Sequence, residues 1–430
     1  MFAERRQRLL EAMGEDAAAI VVGHRLATRS ADTEFPFRQD SDFHYLTGFD
    51  HPCAVALFRT GGDGPPFTLF VQPRDKAAET WTGYRPGTDG AKADYGADEA
   101  YPIDALLDEL PKQLERVSRL FHTLGRDEQL DRTVVSTMES LRGRSKLGFE
   151  PPSEIKDPRD LLHEMRLTKS PAEIELMRRA AEISAVAHQE AAKLCRDGRF
   201  EYELQAALEY AFRRLGGSGP ADGSIVGGGG NATILHYITN QDVLRGGNLC
   251  LIDAGAEVEC YASDVTRSYP VGGRFEGSER AVYEVVLSAQ KKALEACAPG
   301  TTLPTIHDLT VRALVEGMVS LGLLKGTVDE LVKSEAYRTY YMHGTSHWLG
   351  LDVHDVGSYT TAGKPRTLDP GMVFTIEPGI YISPDDENAP EHLRGIGVRI
   401  EDDVVVTEDG IENLNLAIPK EPDEVEAWMK

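Results

Sequence analysis

Residues 249–269 read Leu249-Cys250-Leu251-Ile252-Asp253-Ala254-Gly255-Ala256-Glu257-Val258-Glu259-Cys260-Tyr261-Ala262-Ser263-Asp264-Val265-Thr266-Arg267-Ser268-Tyr269. A short apolar run ending in an aspartate is a buried strand, Gly255 marks a turn, and a second strand returns over 261–269. Paired about a turn near Val258, the two arms set Asp253 across from Asp264 on one face. Two carboxylates sharing a face at the end of a buried strand repel unless a cation lies between them. Strand-end aspartates also serve as solvated turn residues, so this pair alone leaves both readings open.

A second pair follows. Glu377 ends the apolar run Val373-Phe374-Thr375-Ile376, and Glu401 ends Val398-Arg399-Ile400. Burying four carboxylates without countercharge is prohibitive, and two divalent ions supply what is missing. His347 stands in His343-Gly344-Thr345-Ser346-His347-Trp348, whose histidine spacing matches a zinc-protease helix. Gly344 occupies the place where that motif needs glutamate, so a loop and strand are expected instead. His354 follows within the same short region, making a cluster of three histidines. Carboxylates and one imidazole without sulfur form a hard donor set that suits manganese and admits cobalt, iron or zinc.

At 430 residues the chain is too long for one typical core, which makes two domains the natural reading. The 46 basic and 70 acidic residues give a net charge of −24, which repels nucleic acid and anionic membrane. Five cysteines, none in a CxxC pair, argue against disulfides and thiolate zinc and suit a reducing cytoplasm. Cys250 and Cys260 read as small apolar fillers on strands. The charged N-terminal segment has no signal-peptide core, and no apolar run is long enough to span a membrane.

The fold class is α/β (α+β), with a small N-terminal α/β domain over 1–165 and a catalytic domain over 170–430. Expected elements of the first are helices over 1–13 and 105–117, strands over 17–22, 53–59 and 67–71, and turns over 61–66 and 84–90. Prolines at 151, 152 and 158 read as an irregular seam. Ser170-Pro171-Ala172-Glu173 is a complete helix start, with a cap, a proline in the first turn and a capping-box glutamate. His188, on the small apolar stripe of that helix, reads as packed rather than as a ligand. A second helix carries Leu204, Leu208 and Phe212, and further helices are expected over 280–298, 303–321 and 422–430. The run Gly227 to Gly230 lacks the Lys-Ser/Thr of a phosphate loop and reads as backbone that approaches a substrate closely.

Taken in order, segments 251–255, 262–267, 343–357, 375–379 and 397–402 resemble the metal-bearing stretches of proline-specific metallopeptidases with the pita-bread fold. Thr28-Arg29-Ser30-Ala31-Asp32 and Arg38-Gln39-Asp40-Ser41-Asp42-Phe43 resemble the N-terminal domain of the aminopeptidase P family, so the likeness covers nearly the whole chain. The resemblance implies an Xaa-Pro exopeptidase in which Asp253, Asp264, His347, Glu377 and Glu401 hold two divalent ions, most naturally manganese. It implies a metal-bridged hydroxide as nucleophile, Glu377 as its proton carrier, His354 as oxyanion partner and His236 beside the substrate. It further places the proline ring near His343, Tyr381 and Arg399, and assigns Arg366 and Trp81 to the peptide, Trp81 from a neighbouring subunit of a homodimer or homotetramer. The expected substrates are peptides with proline in second place. The alternatives in the same fold are a prolidase that cuts Xaa-Pro dipeptides and a non-catalytic peptide- or histone-binding module.

Overall fold

The computed structural model describes residues 1–61, 64–148 and 150–430, so positions 62 and 63 of the expected 61–66 turn lie outside the described residues. The chain divides into two compact units, Met1–Met165 and Arg166–Lys430. No described helix is long and apolar enough to cross a membrane.

The first unit is built on a six-stranded mixed sheet. Its strands, from edge to edge, are Glu99–Pro102, Phe67–Val71, Val55–Arg59, Ala17–Val22, Arg119–His122 and Glu154–Lys156. Ala17–Val22 is antiparallel to Val55–Arg59 and parallel to Arg119–His122. Ile20, Val55, Leu57 and Phe70 of the sheet pack with Leu106, Leu110, Leu130 and Val134 of helices Leu106–Gln113 and Glu128–Gly143. Two expectations change here. The proline-flanked seam contains the edge strand Glu154–Lys156, because Pro151, Pro152 and Pro158 bracket three residues that keep their N–H groups for pairing with Arg119–His122. The turn expected over 84–90 gives way after Pro86 to the short helix Gly87–Ala93.

In the second unit, helix Pro171–Leu194 starts where the sequence reading puts it. The backbone N–H and the hydroxyl of Ser170 both donate to the Glu173 carboxylate, at 2.9 and 2.8 Å. This helix packs on Glu201–Arg214 through Ala180, Ile183, Ala187, Leu204, Leu208 and Phe212, with Gly277–Ala296 and Leu303–Ser320 in the same core. Strands Ile225–Gly228, Leu249–Asp253 and Thr266–Pro270 form one antiparallel sheet. Val373–Ile376 pairs with Asp402–Val406, and Gly379–Tyr381 pairs with Gly397–Arg399.

His188 is fully buried on the long helix. Its Nε2–H donates to the carbonyl of Ala254 at 2.8 Å, and its Nδ1 accepts from the Tyr269 hydroxyl at 3.1 Å, which fixes a neutral tautomer. Burial pushes its pKa down to about 4. Above the ordinary histidine value of about 6.5 the folded and unfolded chains bind the same protons here. As the pH falls from that value toward 4, only the unfolded chain takes one up, so stability drops by up to about 3 kcal/mol. Urea unfolding across this range should show that slope in the native sequence and its loss in His188→Gln. Parallel pH profiles for the two proteins would refute the assignment.

Candidate metal centre and substrate cavity

The hairpin that opened the sequence reading turns one step later than expected. Val258 pairs with Tyr261 and Asp253 pairs with Thr266, so the turn sits at Glu259 and Cys260. Both residues have positive φ, 48° and 67°, the geometry of a tight two-residue hairpin turn. Asp264 therefore lies diagonally across from Asp253 rather than opposite it, and Cys260 is a turn residue rather than a strand filler. The second pair is in register. The pairings Ile376 with Asp402 and Gly379 with Arg399 continue one alignment, which sets Glu377 opposite Glu401 between the two strand segments.

The four carboxylates converge on a cavity of about 330 Å³ whose described lining residues all belong to the second unit. His347, His343, His354, His236 and Arg399 line it too, together with Asp222, Ile225, Leu235 and Val353. The Nδ1–H of His347 donates to the carbonyl of Trp348 at 3.0 Å. This leaves the Nε2 lone pair facing Asp264 Oδ2 at 3.4 Å and Glu377 Oε1 at 3.5 Å. Three electron-rich atoms aimed at one another call for a proton or a cation among them. Burial resists a charged imidazole, yet Asp264 and Glu377 lift the His347 pKa to about 9. Burial and the neighbouring acids push Asp253 up to about 6 and Glu377 to about 7, and drive Glu401 well above the carboxylate range. Asp264, His347 and Glu401 each bring one donor atom within 4.8 Å of the others. An acid-rich cluster short of positive charge, with oxygen and imidazole donors and no sulfur, fits hard divalent ions.

Arg399 supplies part of the countercharge. Buried at 4% exposure, it donates to Asp253 Oδ2 at 2.6 Å, to the Tyr381 hydroxyl at 2.9 Å and to Thr266 Oγ1 at 3.1 Å. Thr266 in turn donates to Glu401 Oε2 at 2.5 Å. The Nδ1–H of His343 donates to the carbonyl of Gly344 at 2.7 Å, so its Nε2 accepts from Tyr381 at 2.8 Å. Tyr381 thus stands behind His343 and Arg399 and orients both without lining the cavity. The rings of His347 and His354 meet edge to face, with centroids 4.5 Å apart. Burial and His347 lower the His354 pKa, which keeps that ring neutral near pH 7.

Two assigned substrate residues lie elsewhere. Arg366 sits just beyond the small hairpin of Thr360–Thr361 and Lys364–Pro365 and does not line the cavity. Trp81, on helix Lys76–Thr82 of the first unit, is 88% exposed. The glycine run packs against its own chain, which corrects the reading of a substrate wall. A side chain at Gly227 would meet the backbone of Asn231 at 2.9 Å, and one at Gly228 would meet Leu244 at 2.6 Å.

Residues 175–408 match the model of metallopeptidase family M24. The chain belongs to that family. Residues 2–121 match the aminopeptidase P N-terminal domain. The chain is 46% identical to the Xaa-Pro aminopeptidase of Escherichia coli over 429 residues, which is 100% of this chain and 97% of that protein. It is 36% identical to human Xaa-Pro aminopeptidase 3, over 99% of this chain and 85% of the relative. Among solved structures, Pseudomonas aeruginosa aminopeptidase PepP superposes with a TM-score of 0.97 at 47% identity, covering 100% of this chain and 97% of that one. Zinc-substituted E. coli aminopeptidase P in complex with product gives a TM-score of 0.95 at 45% identity, with the same coverage. The N-terminal α/β domain followed by a pita-bread domain is therefore the architecture of this chain, and membership of a metallopeptidase family implies divalent metal.

The sequence reading missed Asp222, Thr266 and Asp403. Asp403 accepts from the Ser263 hydroxyl at 2.9 Å and from the Asp264 backbone N–H, and so braces the metal-facing turn from behind. Its place beside Glu401-Asp402 was visible as an acidic triplet. Nothing local marked Asp222, which reaches the cavity from the bend between strands Gly219–Pro220 and Ile225–Gly228, and Thr266 stood without a role inside the 262–267 segment.

Proposed function

We propose that the chain is a manganese-dependent Xaa-Pro aminopeptidase that releases the N-terminal residue of peptides with proline in second place. The observation that carries this is the convergence of Asp253, Asp264, His347, Glu377 and Glu401 on one cavity, in a chain 46% identical end to end to the E. coli enzyme. Those five residues would hold the two ions. When bound, the ions polarise the scissile carbonyl and favour deprotonation of water near neutral pH. The other steps belong to side chains. Glu377 takes the proton of the attacking water and passes it to the departing proline nitrogen. His354, neutral at the cavity wall, donates its N–H to the oxyanion. The proline ring rests against His343 and Arg399, with Tyr381 holding both, and His236 meets the peptide from the opposite loop. Arg366 and the exposed Trp81 are assigned to binding the peptide, Trp81 from a neighbouring subunit of a homodimer or homotetramer. Five free cysteines support a cytoplasmic setting.

The test is a paired assay after manganese loading, comparing Ala-Pro-Ala with Ala-Pro, each with a chelated control. Cleavage of the tripeptide that chelation abolishes is the expected result. Preference for the dipeptide would make the protein a prolidase. Failure to cut either peptide, with no manganese bound, would make it a binding module.

A further inference from the structure

We infer that Glu201 is a positioning residue that clamps both feet of the loop carrying His236 and so sets how tightly the site holds its peptide. This rests on the aminopeptidase reading. Glu201 is a fully buried carboxylate on the first turn of helix Glu201–Arg214, and it does not line the substrate cavity. Its two oxygens divide four donors. Oε1 accepts from the backbone N–H of Gly228 at 2.8 Å and from the Asn231 amide at 3.0 Å, where the chain enters the loop. Oε2 accepts from the Tyr237 hydroxyl at 2.8 Å and from the backbone N–H of Asp242 at 2.9 Å, where it leaves. Between Asn231 and Tyr237 the chain passes along the cavity. Leu235 and His236 line it, while Ile234 and Ile238 are 53% and 63% exposed. Of residues 234–238, Leu235 and Tyr237 pack, against the small cluster of Ile225, Ala232, Leu251 and Tyr381, and the rest face water, so much of the loop's position depends on its anchors. A second pin leaves the surrounding fold intact if the clamp is removed. The Asn240 side chain accepts from the Val226 N–H at 3.0 Å and donates to the Ser224 carbonyl at 2.8 Å.

The arrangement makes glutamine a sharp substitution. Each oxygen of Glu201 serves one backbone N–H, and a backbone N–H cannot reverse its polarity. Either orientation of a glutamine amide therefore turns an NH2 toward Gly228 or Asp242 and releases one foot of the loop. Glu201→Gln is expected to raise KM for Ala-Pro-Ala by about tenfold, leave kcat within about threefold and keep the full manganese content. Amide hydrogen exchange should quicken at Gly228 and across residues 229–242 and not elsewhere. Tyr237→Phe removes one side-chain donor and keeps both backbone partners, so it should move the same two readouts in the same direction by about two- to threefold. It also serves as the test if Glu201→Gln does not accumulate as folded protein. Unchanged exchange over 228–242 in these variants overturns the clamp, as does a loss of kcat that tracks lost manganese with KM intact. Were the native protein to leave Ala-Pro-Ala uncut, the aminopeptidase reading would fall, while the exchange measurement would still decide the clamp.

Discussion

With Glu377 replaced by glutamine, kcat/KM toward Ala-Pro-Ala at saturating manganese should fall by about 10³-fold. Contacts to Thr345 and Thr375 hold Glu377 in place. Its backbone N–H donates to the Thr345 carbonyl at 2.9 Å, and Thr375 Oγ1 lies 3.5 Å from its Oε1, so the isosteric variant should stay in place. The amide can neither receive a proton from water nor contribute negative charge to the cluster. General acid–base transfer is worth about 10²–10⁴-fold, or roughly 3–5 kcal/mol of barrier, and the weakened metal hold adds to the loss. Metal analysis separates the two contributions. Manganese content should fall far less than activity, because Asp253, Asp264, His347 and Glu401 remain. A variant that keeps more than about a tenth of the native rate with its metal in place would remove Glu377 from the proton path.

The carboxylates that line the cavity were legible where they sit on patterned strands. Asp253, Glu377 and Glu401 each end an apolar run, and a carboxylate there stands out against its neighbours. What periodicity did not fix was the register between runs. The turn at Glu259 and Cys260 needs two positive φ values without a glycine, so no turn signal marked it, and the expected pairing was displaced. Histidine spacing around His347 was informative mainly in excluding a helix. The anchors behind the site were illegible for a different reason. Glu201, Asp403 and Thr266 act through partners far away in sequence, and nothing in a polar residue's local pattern, not even the acidic triplet around Asp403, says which distant group will meet it. In the first unit three of the six strands of the main sheet, Ala17–Val22, Val55–Arg59 and Phe67–Val71, were readable as short apolar runs bounded by turn residues. The proline-rich seam misled because prolines beside a strand and prolines within one look alike until the strand's neighbours are known.

The largest stability effect expected of a single substitution lies one residue beyond Glu401. Asp402 is buried at the meeting point of the second unit's sheets and helices. It accepts from Arg267 at 2.6 Å, Asn413 at 2.7 Å and Gln290 at 2.8 Å, and it pairs with Lys420. Arg267, also fully buried, further donates to the carbonyls of Thr266, Glu401 and Ile418. Replacing both partners of such a pair by apolar groups can be harmless, but removing only the acid leaves a buried guanidinium and a half-buried ammonium without an anion. Asp402→Ala should therefore destabilise the protein by about 3–5 kcal/mol, which for a unit of this size corresponds to a fall in Tm of roughly 8–15 °C. The pH dependence has a definite sign. Burial opposes ionisation, yet Arg267 and Lys420 hold the Asp402 carboxyl well below the usual range. Its contribution is complete above the unfolded aspartate value of about 4 and is lost as the pH falls below it, when the unfolded chain takes up the proton first. Urea unfolding at neutral pH and at pH 3 should show the difference between native protein and Asp402→Ala shrinking with acid. Equal midpoints at neutral pH would mean that the positive charges find other partners, and that the network orders the Glu401 strand without stabilising it.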